Sequence, residues 1–361
     1  QIAGVPNDDA AALVSQLLSV SGGATTSNET VTQGVCSGTF SGGLTVGPNF
    51  LIDSGVILSS GSVVGIAPPN SSDTLSVQLN TPGDPFLNSL VPGYTTFDAC
   101  VLEFDFSCPA GSAGSNVAFR YNFTSEEYNE WVGSPYNDVF GWQLNGTNIA
   151  LLPGGTTPVA INNVNNGLNA AYYNDTDSGD FGGSPPYAIE ADGYVSTLTA
   201  TGSANYATNH IKLAIGDAGD RIYDSWVMLE QGSFECIVQL RIDVKPGSNP
   251  NCINPKPRGV VSVAFFGSAD VDVSMIDQGP LAYAGAPVLR CASEDVDWDG
   301  YDDLVCKFAK ADMTDLPQPG DDCAFIPVSG TCLDGLKWEG LDHACVPGDP
   351  TCEAGTPVPT P

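Results

Sequence analysis

Apolar residues in this chain fall in short runs rich in valine, isoleucine, leucine and phenylalanine, and Gly, Pro, Asn and Asp clusters separate one run from the next. Several runs alternate with a period of two, the signature of half-buried strands. Cys100, Leu102, Phe104, Phe106 and Cys108 share one strand face. Phe119, Tyr121, Phe123, Ser125 and Glu127 share another, and Ile211, Leu213, Ile215 and Asp217 a third. Asp138 keeps parity with Phe140 and Trp142, and Asp224 with Trp226 and Met228. Only Ala10–Leu18 carries a sustained 3.6-residue period, which predicts one short helix. With 41 Gly and 27 Pro as punctuation, the predicted class is all-β.

At 361 residues the chain is long enough for about two domains, and 42% hydrophobic content can supply a core for each. A net charge of −31, with only 11 Lys and Arg against 42 Asp and Glu, excludes nucleic acid and anionic membrane as partners, because both would be repelled. No apolar run is long enough to span a bilayer. Gln1 at the start is expected to be a mature N-terminus left by signal-peptide removal. Five N-x-S/T sequons, at Asn28, Asn70, Asn122, Asn145 and Asn174, and 11 cysteines point to a secretory, oxidising route. In Phe119–Phe123 the aromatics take one face, so Asn122 is expected to point outward with room for a glycan.

The densest chemistry lies in D-V-D-W-D-G-Y-D-D, residues 295–303. Asp295, Asp297, Asp299 and Asp303 occupy loop positions 1, 3, 5 and 9 of an EF-hand type calcium loop. Gly300 takes the sharp turn at position 6, and the Tyr301 carbonyl is the candidate ligand at position 7. Position 12 is Cys306 rather than a bidentate Glu, and the β-type run L-V-C-K-F follows. A fixed calcium staple is therefore expected rather than a sensor that opens a helix pair.

Other carboxylates extend inward apolar rows just past strand ends. Inward charges need partners, and Arg221 is the only base nearby in the sequence. A second calcium site built from Glu127, Asp138, Asp217 and Asp224 is the expected solution, with hydrogen bonding to loop amides as the alternative. Catalysis is not expected. His210 opens a strand and His343 sits in a cysteine-rich stretch without a marked nucleophile, and a Glu126 or Glu127 pairing with Asp217 has little specificity among so many acids.

Cys100 and Cys108 lie eight residues apart on one strand, about 26 Å at 3.3 Å per residue, too far to bond each other. They must pair with Cys36 and Cys236 in one of two ways. Of Cys252, Cys291, Cys306, Cys323, Cys332, Cys345 and Cys352, the last four lack a C-x2-C metal spacing, so disulfides are expected. Cys291 and Cys306 bracket the acidic loop, Cys323 and Cys332 are expected in bridges, and Cys352 is the expected odd thiol.

Four motifs in order, S-G-V-I-L-S-S-G-S (54–62), D-A-C-V-L-E-F-D-F (98–106), S-E-E-Y-N-E-W-V-G-S-P-Y-N-D-V-F-G-W (125–142) and H-I-K-L-A-I-G-D-A-G-D-R-I-Y-D-S-W-V-M-L-E-Q-G-S-F (210–234), resemble the choice-of-anchor L domain of bacterial and some eukaryotic extracellular proteins. The resemblance implies a β-sandwich on a secreted or surface-anchored protein and no enzymatic activity. Residues 237–348 resemble a small calcium-loop β-domain appended to many bacterial extracellular proteins, with Tyr301 and Asp302 replacing the usual Asp-x.

The expected organisation is an N-terminal connector (1–7), a jelly-roll-like β-sandwich (8–236), a smaller disulfide-rich β-sandwich (237–348) and an extended Pro/Thr tail (349–361). No Gly/Ser linker separates the modules, so a fairly rigid pair is expected. The expected role is a secreted, calcium-stabilised structural glycoprotein of a filament, surface coat or cell-wall layer, self-associating through terminal segments or sheet edges. Calcium is the only cofactor expected. The alternative is a carbohydrate-binding or adhesive module using Trp131, Tyr136, Trp142, Tyr172, Tyr173 and Tyr187.

Overall fold

In a computed structural model, residues 1–19, 23–108, 115–177, 188–204, 207–254, 258–318, 321–347 and 352 are described. The described chain is almost all β, as the alternation predicts, and divides into two compact units. Tyr187 and the tail beyond Cys352 lie outside the described residues.

The first unit comprises the described residues up to Glu235, apart from Gly23, Cys108, Ser115 and Asn116. One sheet runs in the order Ala3–Pro6, Ser37–Ser41, Gly55–Ser59, Ser225–Glu230 and Ser115–Ser125. The other runs Thr25–Val31, Thr96–Ser107, Asn209–Ala218, Val139–Leu144 and Thr147–Asn148. Period-two burial faces the sheets toward each other. Phe119 of the first sheet meets Trp142 of the second at 4.0 Å between ring centroids, and Tyr121 meets Phe140 at 5.3 Å. Phe234 closes the layer against Phe104, Phe106 and Phe119.

The predicted helix forms over Ala10–Leu17, where Asp9 caps it by accepting from the Ala12 amide and Leu13, Val14 and Leu17 are buried. A second helix, Pro85–Leu90, is too short to show a period. Its signal is local: Asp84 accepts from the Phe86 amide, and Pro85 supplies a preset φ at the first position.

The expected connector at 1–7 takes another form, because Ala3–Pro6 pairs antiparallel with Ser37–Ser41 of its own unit. One side of that strand is thereby paired within its own unit, and the strand stands at the end of the sheet order. The opposite edge strand, Thr25–Val31, carries a register shift between Ser27 and Thr30, with Asn28 at φ 58° in the irregularity.

In the second unit a five-stranded sheet runs Ile242–Val244, Val260–Phe265, Asp303–Ala309, Ala286–Glu294 and Ala282–Tyr283. The hairpin Ala324–Thr331 with Lys337–Ala344 extends through a parallel pairing with Ile237–Gln239. Phe265 of the sheet meets Trp338 of the hairpin edge-on at 5.5 Å, and Tyr283 meets Phe308 at 5.9 Å.

The disulfides are Cys36–Cys100 in the first unit and Cys108–Cys236, Cys252–Cys352, Cys291–Cys306 and Cys323–Cys345 in the second. Cys100 and Cys108 do go to separate partners. The odd thiol, however, is Cys332 and not Cys352. The hairpin aligns Ala324 with Ala344, which brings Cys323 beside Cys345 and leaves Cys332 at the far, turn end.

The aromatic layer makes Phe119 the residue on which the first sandwich closes. Phe119→Ala should cost roughly 3–5 kcal/mol of stability, read as a lowered midpoint of urea denaturation. An unchanged midpoint would show that the two sheets do not depend on this contact.

Candidate metal centres

The acidic loop is a hairpin connection. Glu294 pairs with Asp303, and Cys291 lies directly opposite Cys306 in the same ladder, where the disulfide closes the base. Within the loop, Trp298 and Gly300 both have positive φ, 64° and 93°. Left-handed backbone costs a bulky side chain about 1–2 kcal/mol, and Trp298, 87% exposed, has little packing of its own to offset it.

Asp303 is buried, accepting from the Gly267 amide (2.9 Å) and the Val296 amide (2.7 Å). Asp295 Oδ2 accepts from the Gly300 amide, while its buried Oδ1 has no hydrogen-bond partner. Asp297 accepts from the Arg241 guanidinium, which lies over the Phe266 ring at 3.8 Å. Oxygens of Asp295, Asp297 and Asp303 lie within 4.8 Å of one another. Asp299 is not in that group, since its Oδ1 is turned back to the Tyr301 amide (2.9 Å). Three hard oxygens and one orphaned buried oxygen suit calcium. Arg241 is the cation that shares Asp297.

The inward carboxylates of the first unit divide their work. Asp224 accepts from the Val77 amide (2.8 Å) and the Ser62 amide (3.2 Å), the amide-bonded alternative in full. Asp138 accepts from the Ala218 amide (3.0 Å) and the Ser225 hydroxyl (2.6 Å), and Glu127 accepts from the Asp138 amide (3.1 Å). Asp217 Oδ1 is buried without a partner, while its carboxyl shares hydrogen bonds with Asp138 and Ser60. The four carboxylates do not form a common group of ligand oxygens among the described residues.

Arg221 is not their counterion. It pairs with Asp98 and stacks on Phe97. Burial, and then the charge of Asp138, pushes Asp217 well above the usual carboxylate range. Burial and Asp138 do the same to Glu127, and burial lifts Asp138 itself. The raised values favour the protonated, uncharged form of these carboxyls.

Each sequon amide is a donor. Asn122 corrects the expectation of an outward side chain. It is fully buried, donating to the Val195 carbonyl and accepting from Thr197, because the chain at Val195–Thr197 lies against its side chain and leaves no space for a glycan. Asn70 donates to Asp192 and to the Thr176 carbonyl, Asn145 to Asn209, and Asn174 to Ser196. Asn28 is exposed, bonded to Asp105.

Trp142 is core and leaves the sugar-stacking set. Tyr173 packs on Tyr128, and Tyr172 is half-buried. Trp131, half-buried, stacks on Tyr223 and meets Tyr136 edge-on. His210 is bonded to Asp105, and His343 is buried between Asp342 and the Asn251 amide.

Comparison with known proteins returns one family. The model of the choice-of-anchor L domain matches residues 5–235. No curated protein matches the chain. Among solved structures, the N-terminal domain of a Streptococcus gordonii adhesin aligns over 90% of this chain and 82% of its own at 8% identity, with a TM-score of 0.16, too low to bear on fold or role.

The loop and the carboxyl row each generate a test. Calcium at about 1 mM, the concentration scale of extracellular sites, should raise the melting temperature of the second unit in calorimetry, and Asp295→Asn should remove that rise. Superimposable scans in calcium and in chelator would rule the loop out as a calcium site.

For the carboxyl row, the folded state lifts the pKa values, so it keeps protons that the unfolded chain releases. Stability in chelator should then fall as pH rises from the ordinary carboxylate range, about 4, toward about 8, where Asp138 titrates. Asp217→Asn should flatten that fall and gain roughly 1–3 kcal/mol at the alkaline end, the usual cost of one unmatched buried polar group. Parallel pH profiles for variant and parent would refute it.

Proposed function

Since this chain belongs to the choice-of-anchor L domain family and is an extracellular or cell-surface protein, we propose that it serves there as a secreted, N-glycosylated, calcium-stabilised structural glycoprotein, a subunit of a filament, surface coat or cell-wall layer. The observation that carries this reading is the covalent reinforcement of two all-β units by disulfides, two of which, Cys291–Cys306 and Cys323–Cys345, close between residues that paired strands already bring together. Such reinforcement suits a part that must keep its shape where chaperones and repair are absent.

The converging carboxylates of the acidic loop support a role for calcium in holding that shape. Asn28, exposed on an edge strand, is the sequon with most room for a glycan. Neither histidine is arranged for chemistry, so the reading assigns no catalytic step.

Self-association would use sheet edges, Ala3–Pro6 or Thr25–Val31 in the first unit. A carbohydrate-binding role is the second reading, and the group Trp131, Tyr136 and Tyr223 is the observation that favours it.

Native protein at high concentration with calcium should give ordered assemblies in negative-stain images and a rising mass by light scattering. Monomers alone under those conditions, with binding to a glycan array that is lost in Trp131→Ala, would replace the first reading by the second.

A further inference from the structure

The first unit holds a second group of acids away from the Asp138 row, and strand pairing builds it. Tyr173–Asp175 runs antiparallel to Gly193–Val195, with Asp175 opposite Gly193. The Thr176 amide then donates to the Asp192 carbonyl, which sets Asp177 and Asp192 on the two sides of one ribbon end. The segment after Ile66 is laid across this end. The Asn70 side-chain amide donates to Asp192 Oδ1 (2.8 Å), and the Ser71 amide donates to Glu190 (2.9 Å). That docking delivers Asp73. Oxygens of Asp73, Asp177 and Asp192 lie within 4.8 Å of one another. Ligands held about 2.4 Å from one calcium ion can be no farther apart than about that distance.

Two further observations point to a ligand. Asp192 is fully buried, and its Oδ2 has no hydrogen-bond partner. Glu126, also fully buried and electrostatically coupled to Asp192, has an unpartnered Oε1 while its Oε2 accepts from the Leu75 amide. Nor is a basic side chain in reserve. The only Lys and Arg among residues 1–235 are Arg120, Lys212 and Arg221. They are committed to Glu230, to Asp84 and Glu103, and to Asp98. Buried carboxylate oxygens left without donors are costly, and a hard divalent cation satisfies several at once.

We propose that Asp73, Asp177 and Asp192 bind a calcium ion that fastens the segment 70–77 to the ribbon end. Asp73 is exposed, which gives the ion a path from solvent, and Asp192 forms the buried floor. The donor set holds no sulfur and no imidazole, which favours calcium over zinc or copper. The site is separate from the acidic loop at 295–303 and does not depend on it.

The test uses the full chain with Asp295→Asn and Asp297→Asn, so that the loop of the second unit is disabled. After stripping with chelator, the protein is titrated with calcium chloride. Bound ion is counted by equilibrium dialysis, and amide hydrogen exchange is followed over 70–77. The proposal expects one calcium per chain and slowed exchange in that segment. Asp73→Asn, at an exposed position that leaves the fold alone, should weaken binding about tenfold or more, since affinity follows the count of charged ligands. Asp192→Asn should abolish the calcium-dependent protection. No calcium bound to the loop-disabled chain, or titrations unchanged by both substitutions, would overturn it. Failure of the loop site reads out separately, as an ion count that Asp295→Asn and Asp297→Asn leave unaltered.

Discussion

Charge compensation inside the first sandwich is the constraint on which the rest turns. Three basic side chains serve residues 1–235, and each is held by carboxylates: Arg120 by Glu230, Lys212 by Asp84 and Glu103, and Arg221 by Asp98. Every other inward acid must be satisfied without a salt bridge. The fold does this differently from place to place. Backbone amides serve Asp224, while burial shifts Glu127, Asp138 and Asp217 toward their uncharged forms. A charge buried without one of these partners would cost more than the packing around it returns.

Much of the architecture was legible because strand parity is a local property. The row Cys100 to Phe106 faces the core, and Phe119, Tyr121 and Trp142 meet across the two sheets where alternation puts them. The inward direction of Glu127, Asp138 and Asp217 followed from the same rule. Parity fails where a face acquires a second cover. Asn122 stands opposite the core side of its strand, yet the chain at Val195–Thr197 takes up both ends of its amide. The identity of the odd cysteine depends on hairpin register, which no spacing between Cys323 and Cys352 reveals. Asp73, Asp177 and Asp192 come together from separate loops, and only N-D-T-D-S-G-D (174–180) beside E-A-D-G (190–193) hinted at a concentration of acid there.

The acidic loop shows how far a motif can be read. The carboxylates its spacing places at positions 1, 3 and 9 do lie together, whereas Asp299 is diverted to a local amide and Arg241 reaches in from outside the loop to Asp297. Both departures come from tertiary neighbours and turn geometry that a one-dimensional pattern does not contain. The irregularity at Asn28 has a comparable logic. A bulge and a left-handed residue in Thr25–Val31 twist an edge that would otherwise offer a regular row of unpaired amides.

The order of the three long disulfides has a mechanical consequence. Cys36–Cys100, Cys108–Cys236 and Cys252–Cys352 follow one another along the chain without overlap. Tension applied to the polypeptide at Gln1 and beyond Cys352 therefore passes across each bridge and not through the residues it encloses. Residues 37–99, 109–235 and 253–351 stand outside the covalent load path, and the acidic loop with them. Only the short stretches between bridges, 101–107 and 237–251, together with the two ends, can pay out length under force. A molecule wired in this way reaches its full extension early and then stiffens, so pulling strains its cross-links while most of its folded chain is spared.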